Sequence, residues 1–144
     1  MAEKFKFVKD LFGHRGAPII AEFPVATAQT LLKGDLVFLS SGQVTIAGAS
    51  TVSVLGIMAE DSAGAAAGTL VKVLVAAPGY VFNATADADA TSHVLATKKY
   101  DINATTQTVD VGDNSGGCII ILELADSTTN VNIMFTESDL GAVN

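Results

Sequence analysis

From Lys33 onward, short apolar runs alternate with turn residues at intervals of roughly ten residues, a spacing typical of chains built from short strands. No region keeps a helical period, and the runs are rich in Val, Ile and Thr, which suit a pleated surface. This pattern predicts an all-β fold, a compact antiparallel β-barrel or sandwich of about nine short strands. The candidate strands are residues 35–40, 43–47, 53–58, 69–75, 79–83, 99–103, 107–111, 118–124 and 130–135.

The segments between these strands carry their own predictions. Ser41-Gly42 separates the first two strands and predicts a two-residue hairpin turn. Residues 59–68 are rich in alanine, which permits a turn of helix, although two glycines oppose a long one. Residues 84–91 are predicted to form a loop or a weak strand, and residues 126–130 to turn the chain.

The first thirty residues differ from the rest in charge and regularity. Residues 1–15 carry a net charge of +2, whereas the whole chain carries −7. We therefore predict an extended N-terminal arm over residues 1–30 and a single β domain over residues 31–144. Seven large apolar side chains in this arm need a surface to bury them, either on the same chain or on a neighbouring protein. They are Phe5, Phe7, Leu11, Phe12, Ile19, Ile20 and Phe23.

Composition excludes several classes of protein. Only 16% of the 144 residues are charged, and acidic residues exceed basic ones, which disfavours binding to nucleic acid or to an anionic membrane surface. The single cysteine, Cys118, excludes an intramolecular disulfide, and its apolar strand predicts a small buried hydrophobe. The N-terminal residues do not form the apolar core of a signal peptide, so we expect the chain in a reducing cytoplasm.

Patterns for catalysis or metal binding are incomplete. His14 and His93 lack a second ligand at helical spacing, and the glycine-rich stretch 64–69 lacks the lysine of a phosphate loop. The carboxylates of 87–89 and 110–114 do not fit the calcium-loop pattern. We therefore predict no catalytic residue, no cofactor and no metal site, hence no enzyme, although a carboxylate pair assembled in space stays possible.

Several short motifs in residues 20–85 together resemble small tailed-bacteriophage capsid decoration proteins, also called cement proteins. In that family a Lys-Gly-Asp-x-Val strand opens the β domain, and a Leu-Gly-Ile or Leu-Gly-Val strand precedes a small-residue turn. Phe23-Pro24-Val25-Ala26 leads into the first strand in a similar way. The matching segments here are Lys33-Gly34-Asp35-Leu-Val37, Ser41-Gly42-Gln-Val44, Leu55-Gly56-Ile57, Ala63-Gly64-Ala65, Val71-x-Val73-x-Val75 and Gly79-Tyr-Val81-Phe82.

The resemblance implies a non-enzymatic virion protein on the outer surface of an assembled head, present in the host cytoplasm during assembly. Its implied partner is the major capsid protein, whose subunits it would clamp at three-fold or quasi-three-fold positions as a homotrimer. Charge and aromatic content make the arm our candidate for the capsid-binding element. The candidate contact residues are Lys4, Phe5, Lys6, Phe7, Lys9, Phe12 and Arg15.

Three other readings stay open. One is another structural virion component, such as a head-tail or tail part. A second is a fibre-associated β-module that binds a host surface or carbohydrate, although the chain has no Trp and only two Tyr to form a sugar platform. A third is a small β enzyme, which would need a concave pocket with converging polar groups.

Overall fold

A computed structural model describes residues 4–11, 18–48, 53–114 and 117–135, and nearly all of its regular structure is β. Within these ranges there are thirteen strands and one short 3₁₀ helix, so the all-β prediction is confirmed. The elements are β1 (Phe5–Asp10), β2 (Ile20–Pro24), β3 (Thr30–Leu31), β4 (Leu36–Ser40), β5 (Gln43–Ile46), β6 (Gly56–Met58), β7 (Ser62–Ala63), β8 (Leu70–Val75), β9 (Tyr80–Thr85), η1 (Thr91–His93), β10 (Asp101–Asn103), β11 (Thr108–Asp110), β12 (Ile119–Ser127) and β13 (Asn130–Phe135).

The strands form two main sheets and two small pairs. One sheet has the order β1-β9-β13-β12, the other β2-β8-β6-β4-β5, and β3 pairs with β7 and β10 with β11. Every ladder between these strands is antiparallel. The arrangement is a compact β-sandwich, and the described residues form no closed barrel.

The main core contains side chains from both larger sheets. Phe82 and Ala84 of β9 alternate with outward-facing Asn83, and Ile57 reaches the same core from the five-stranded sheet. The β10-β11 pair adds Ile102. Side chains alternate between the two faces of a strand, so Phe82 and Ala84 point into the core while Asn83 between them points outward.

A second core lies on the opposite face of the five-stranded sheet. Leu36 belongs to the main core while its neighbour Val37 belongs to the second one, and both are fully buried. The two edge strands of this sheet, β2 and β5, approach each other at one end. Val25, directly after β2, forms a parallel bridge with Val44 of β5 there. Burial on both faces explains why β4 and β6 are apolar at consecutive positions.

One predicted connection is confirmed by its backbone conformation. Ser41 and Gly42 have φ values of 51° and 78°, and β4 and β5 pair on either side of them, so the predicted two-residue hairpin turn is confirmed. Two positive φ values are the requirement of a type I′ turn.

Other segments differ from prediction. Residues 59–68 form no helix and contain β7 instead, and β12 continues to Ser127, so the turn at its end is shorter than the predicted 126–130. Residues 5–10 and 20–24, predicted to belong to an extended arm, are strands of the two main sheets. The strand character of these two segments is not visible in the sequence, because glycines and prolines in the first thirty residues interrupt the alternation of polar and apolar residues. No helix among the described residues is long and apolar enough to cross a membrane.

The side chain of Gln107 forms hydrogen bonds with three separate segments of the backbone. It is buried, and its amide oxygen accepts a hydrogen bond from the Leu36 backbone nitrogen at 2.8 Å. Its amide nitrogen donates to the carbonyl oxygens of Ala47 at 3.0 Å and Ala104 at 3.1 Å. A buried amide with these partners is satisfied, so it fixes the strands relative to each other without an unpaired polar atom.

Gly56 gives the first testable prediction. A Cβ at this position would overlap the carbonyl oxygen of Leu74 on the neighbouring strand β8, so we expect Gly56→Ala to lower the free energy of unfolding by about 3 kcal/mol. Gly112→Ala is the control, since an added Cβ there meets only the Asp110 side chain at 3.3 Å. Urea unfolding of both variants measures the difference, and equal stability would contradict the close approach of β6 and β8.

Candidate partner-binding site

Phe5, a candidate capsid contact, lies inside its own chain. Its side chain has no solvent exposure and belongs to the main core, and its backbone nitrogen donates to the Gly34 carbonyl oxygen at 2.9 Å. The expected role of Phe5 as a surface anchor is therefore corrected. The surface that buries Phe5 is the main core of its own chain, and β9 pairs with β1 beside it.

Phe7 is also part of the fold, although it is less deeply buried. Its ring packs edge-to-face against Tyr80 at 5.0 Å and Phe82 at 5.9 Å between centroids. After Phe7 the register of β1 against β9 shifts, so that Lys9 rather than Val8 is opposite Val81. Such a bulge bends the strand and turns the following side chains.

The lysines of β1 lie at the surface. Lys6 is exposed opposite Asn83, and the Nζ of Lys9 is 3.9 Å from Oε2 of Glu123 across the sheet. Lys4 is close enough to the Asp35 carboxylate to favour its charged form. The exposed pair of Lys9 and Glu123 contributes little to stability, so Lys9 stays available to a partner. The other two candidates, Phe12 and Arg15, lie outside the described residues, as does His14.

Between β1 and β2 lies a surface pocket of about 280 Å³, which we call the β1–β2 groove. Its lining residues include Lys6 and Phe7 of β1, Ile20 of β2, Ile57 of β6 and Leu74 of β8. Lys33, Met58 and Ala59 complete the lining. The groove is therefore apolar, with two lysines on its wall and no carboxylate among its lining residues.

The Lys33-Gly34-Asp35 motif contributes Lys33 to the lining of this groove. The Asp35 backbone nitrogen donates to the Leu32 carbonyl oxygen at 2.9 Å, which closes a turn, and Gly34 has a φ of 91° that favours glycine. The Gly34 nitrogen donates to the Met58 carbonyl oxygen at 2.9 Å, while its carbonyl accepts from Phe5. The turn thus ties β1 to β6 and places Lys33 beside them.

Asp35 is an unusual acidic group because only 3% of its surface is exposed. Its Oδ2 accepts a hydrogen bond from the Leu32 backbone nitrogen at 2.9 Å, while Oδ1 is buried without a hydrogen-bond partner among the described residues. Burial raises the pKa of Asp35, and the Leu32 hydrogen bond and the charge of Lys4 oppose that rise.

The polar residues considered for catalysis make hydrogen bonds within the chain or lie in its core. Nδ1 of His93 is 2.8 Å from the hydroxyl of Tyr100, whose burial raises the pKa of that phenol. Cys118 is fully buried in the main core, as predicted. Hydrogen bonds from the Thr91 hydroxyl and backbone nitrogen lower the pKa of the exposed Asp89.

The two acidic stretches fold as turns. Oδ1 of Asp87 accepts from the Val111 backbone nitrogen at 3.1 Å, and Oδ1 of Asp110 accepts from that of Gly112 at 3.0 Å. Within the described ranges, no group of three or more His, Cys, Asp or Glu side chains is placed to hold a metal ion.

Some groove residues were missed by the sequence analysis. Lys33 and Leu74 are remote from β1 in the chain and appeared only as parts of strand motifs. The available signal was the apolar character of Ile20, which the sequence analysis noted as an arm residue that needs a burial surface, and it is 56% exposed beside the groove. The residues came together only because β1 and β2 are edge strands of different sheets.

Comparison of the sequence with protein-family models gives no match, and comparison with curated proteins gives none at a significant level.

The stability of a Phe5→Ala variant tests whether the Phe5 side chain packs in the core or lies at the surface. We expect the free energy of unfolding to fall by about 3–5 kcal/mol, because the substitution empties a fully buried position. Val8→Ala, on the same strand at a position that is 44% exposed, should change it by no more than about 0.5 kcal/mol. Thermal or urea unfolding compares the two. A Phe5→Ala variant as stable as the parent would show that this ring is not in the core.

Asp35→Asn tests the effect of the buried carboxyl on pH dependence. Because the folded-state pKa lies above the ordinary 3.8, the native protein binds the proton more tightly than the unfolded chain. The parent therefore loses stability relative to Asp35→Asn as the pH rises from 3.8 through the raised pKa, and the difference is constant above it. Urea unfolding of both proteins between pH 3.5 and about 7 measures this trend. A parent that gains stability relative to Asp35→Asn as the pH rises would contradict it.

Proposed function

We propose that the protein is a structural component of a bacteriophage virion that binds the outer surface of the assembled head and is not an enzyme. Its partner is the major capsid protein, and it acts as a homotrimer that clamps neighbouring subunits at three-fold or quasi-three-fold positions. Before assembly it resides in the host cytoplasm. It takes part in no contact with nucleic acid or membrane.

The observation that carries this proposal is the β1–β2 groove. An acidic chain with a net charge of −7 presents there a mostly apolar surface with two lysines, and β1 itself carries Lys6 and Lys9. A local basic and apolar surface on an acidic body is suited to a specific protein partner. The basic segment that the sequence analysis chose as the candidate partner-binding element thus contributes β1 to the lining of this groove.

The positions of the motif residues also support the proposal. Gly34 occupies a turn with positive φ, Ser41-Gly42 the hairpin, and Gly56 the close approach of two strands. The residues that resemble the decoration family are therefore those on which this fold depends. Tyr100 is buried and Tyr80 packs against Phe7, so neither described tyrosine offers the open ring face that a carbohydrate module uses.

Capsid stabilisation follows from binding alone. A protein that binds the closed shell more tightly than separate subunits shifts the equilibrium toward the shell by the difference in binding free energy. Three copies held in a trimer bind together, so weak individual contacts add to a strong attachment through high effective concentration. No chemical step is required.

The proposal predicts a trimer that recognises assembled heads. Sedimentation equilibrium should give three times the chain mass of 14.7 kDa, and the purified protein should pellet with empty, expanded heads of the phage that encodes it. It should not bind unassembled major capsid protein with comparable affinity. A monomer that fails to pellet with heads would contradict the proposal. Point variants are preferable to deletion of residues 2–15, since that deletion removes β1 and the buried Phe5.

A further inference from the structure

The four-stranded sheet ends in two edges of opposite charge. At one edge, residues 4–11 around β1 contain three lysines and one aspartate, a net charge of +2. The other edge is formed by β12 and the loop 86–99 beside it, whose backbone nitrogens at Ala90 and Leu95 each donate to a β12-side carbonyl oxygen at 2.8 Å. We call residues 86–99 and 119–128 the β12 edge. They contain four carboxylates and two lysines, a net charge of −2.

The two edges also differ in shape. The β1–β2 groove is a hollow of about 280 Å³, smaller than the pockets of about 300–1,000 Å³ that hold most small molecules, so it suits a single side chain. Phe7, Ile57 and Leu74 give it an apolar lining. The β12 edge instead presents Leu95, a large apolar side chain that is 67% exposed.

Leu95 is fixed in position on its loop. Its φ of 52° lies in the left-handed region that leucine rarely adopts, and its backbone nitrogen donates to the Ile121 carbonyl oxygen at 2.8 Å. Two residues before it, His93 is joined through Nδ1 to the hydroxyl of the buried Tyr100 at 2.8 Å. A side chain presented by a fixed backbone loses little conformational freedom when it enters a pocket.

We propose that the occupant of the β1–β2 groove is Leu95 of a second copy of this chain. The β12 edge of one copy docks against the β1 edge of the next, and Asp126 of the first copy faces Lys6 of the second. Both charged side chains are exposed, and neither forms an ion pair among the described residues. Lys9 and Glu123 are not needed for this contact, because they already pair within one chain.

The opposite charges of the two edges determine the kind of symmetry. A symmetric dimer would bring like edges together, and like charges across an interface repel. A contact between unlike edges is heterologous, so each copy uses one edge toward each neighbour, and the chain of copies closes into a ring. This inference rests on the proposed function, for which it names the two surfaces that join the copies of the homotrimer.

Charge reversal tests the contact between Lys6 and Asp126. We expect Lys6→Glu and Asp126→Lys each to raise the Kd of self-association about tenfold in sedimentation equilibrium, and the double variant to recover most of that loss. Asp126→Lys makes the net charge of −7 less negative, so general charge repulsion alone would strengthen self-association in this variant. Stronger association of Asp126→Lys, or a double variant weaker than either single one, would overturn the inference.

Cysteine cross-linking tests the apolar contact. Ile20 lines the groove and Leu95 lies at the β12 edge, so a disulfide between cysteines at these positions joins two copies. Under oxidised glutathione, the Ile20→Cys/Leu95→Cys variant should form covalent multimers on a non-reducing gel. Leu70→Cys/Leu95→Cys is the control, since Leu70 is 56% exposed, as Ile20 is, and is not among the lining residues. Cys118 is fully buried in both. Equal cross-linking of the two variants would overturn the inference.

These results are separate from those of head binding. A parent protein that associates through these two edges but fails to pellet with heads would contradict the proposed function and support the inference. A parent that pellets with heads, while the charge variants associate as it does, would overturn the inference and support capsid binding. A parent that stays monomeric at every concentration would overturn the inference together with the homotrimer.

Discussion

Phe5 connects the N-terminal segment to the rest of the molecule, and much of the structure depends on its burial. It packs in the main core, while its backbone nitrogen binds Gly34 at the turn before β4. Complete burial of a phenylalanine contributes about 1.5–3 kcal/mol through the hydrophobic effect alone. This contact holds β1 against β9, and β1 in turn supplies one wall of the groove.

The same contact links the fold to the proposed function. With β1 in the sheet, Lys6 and Phe7 face Ile20 and Leu74 across the groove. Were β1 detached, the pocket would lose a wall and the main core a phenylalanine. Partner binding through the groove therefore requires a folded N-terminal strand, whereas a flexible arm would first have to become ordered and would lose affinity in doing so.

Polar groups in the interior hold the strands in position through hydrogen bonds. Gln107 satisfies three backbone groups from separate segments, and His93 pairs with the buried Tyr100. Asp35 differs, because its buried carboxyl keeps an oxygen without a hydrogen bond and has a raised pKa. It therefore supports the turn before β4 at some cost in desolvation.

The nine predicted strands each correspond to an observed one, and Ser41-Gly42 forms the predicted hairpin, because period-two alternation and positive φ are local properties that the sequence displays directly. The strand character of β1 and β2 was not visible, since both are short edge strands whose stability comes from β9 and β8. Sequence alone determined nine of the described strands, the hairpin at Ser41-Gly42 and the basic character of the first segment. Tertiary structure decided that Phe5 is core, that Lys6 and Lys33 are neighbours, and that a groove lies between β1 and β2. The physical reason is that these contacts join residues far apart in the chain, and their positions follow from how two sheets pack rather than from any local preference.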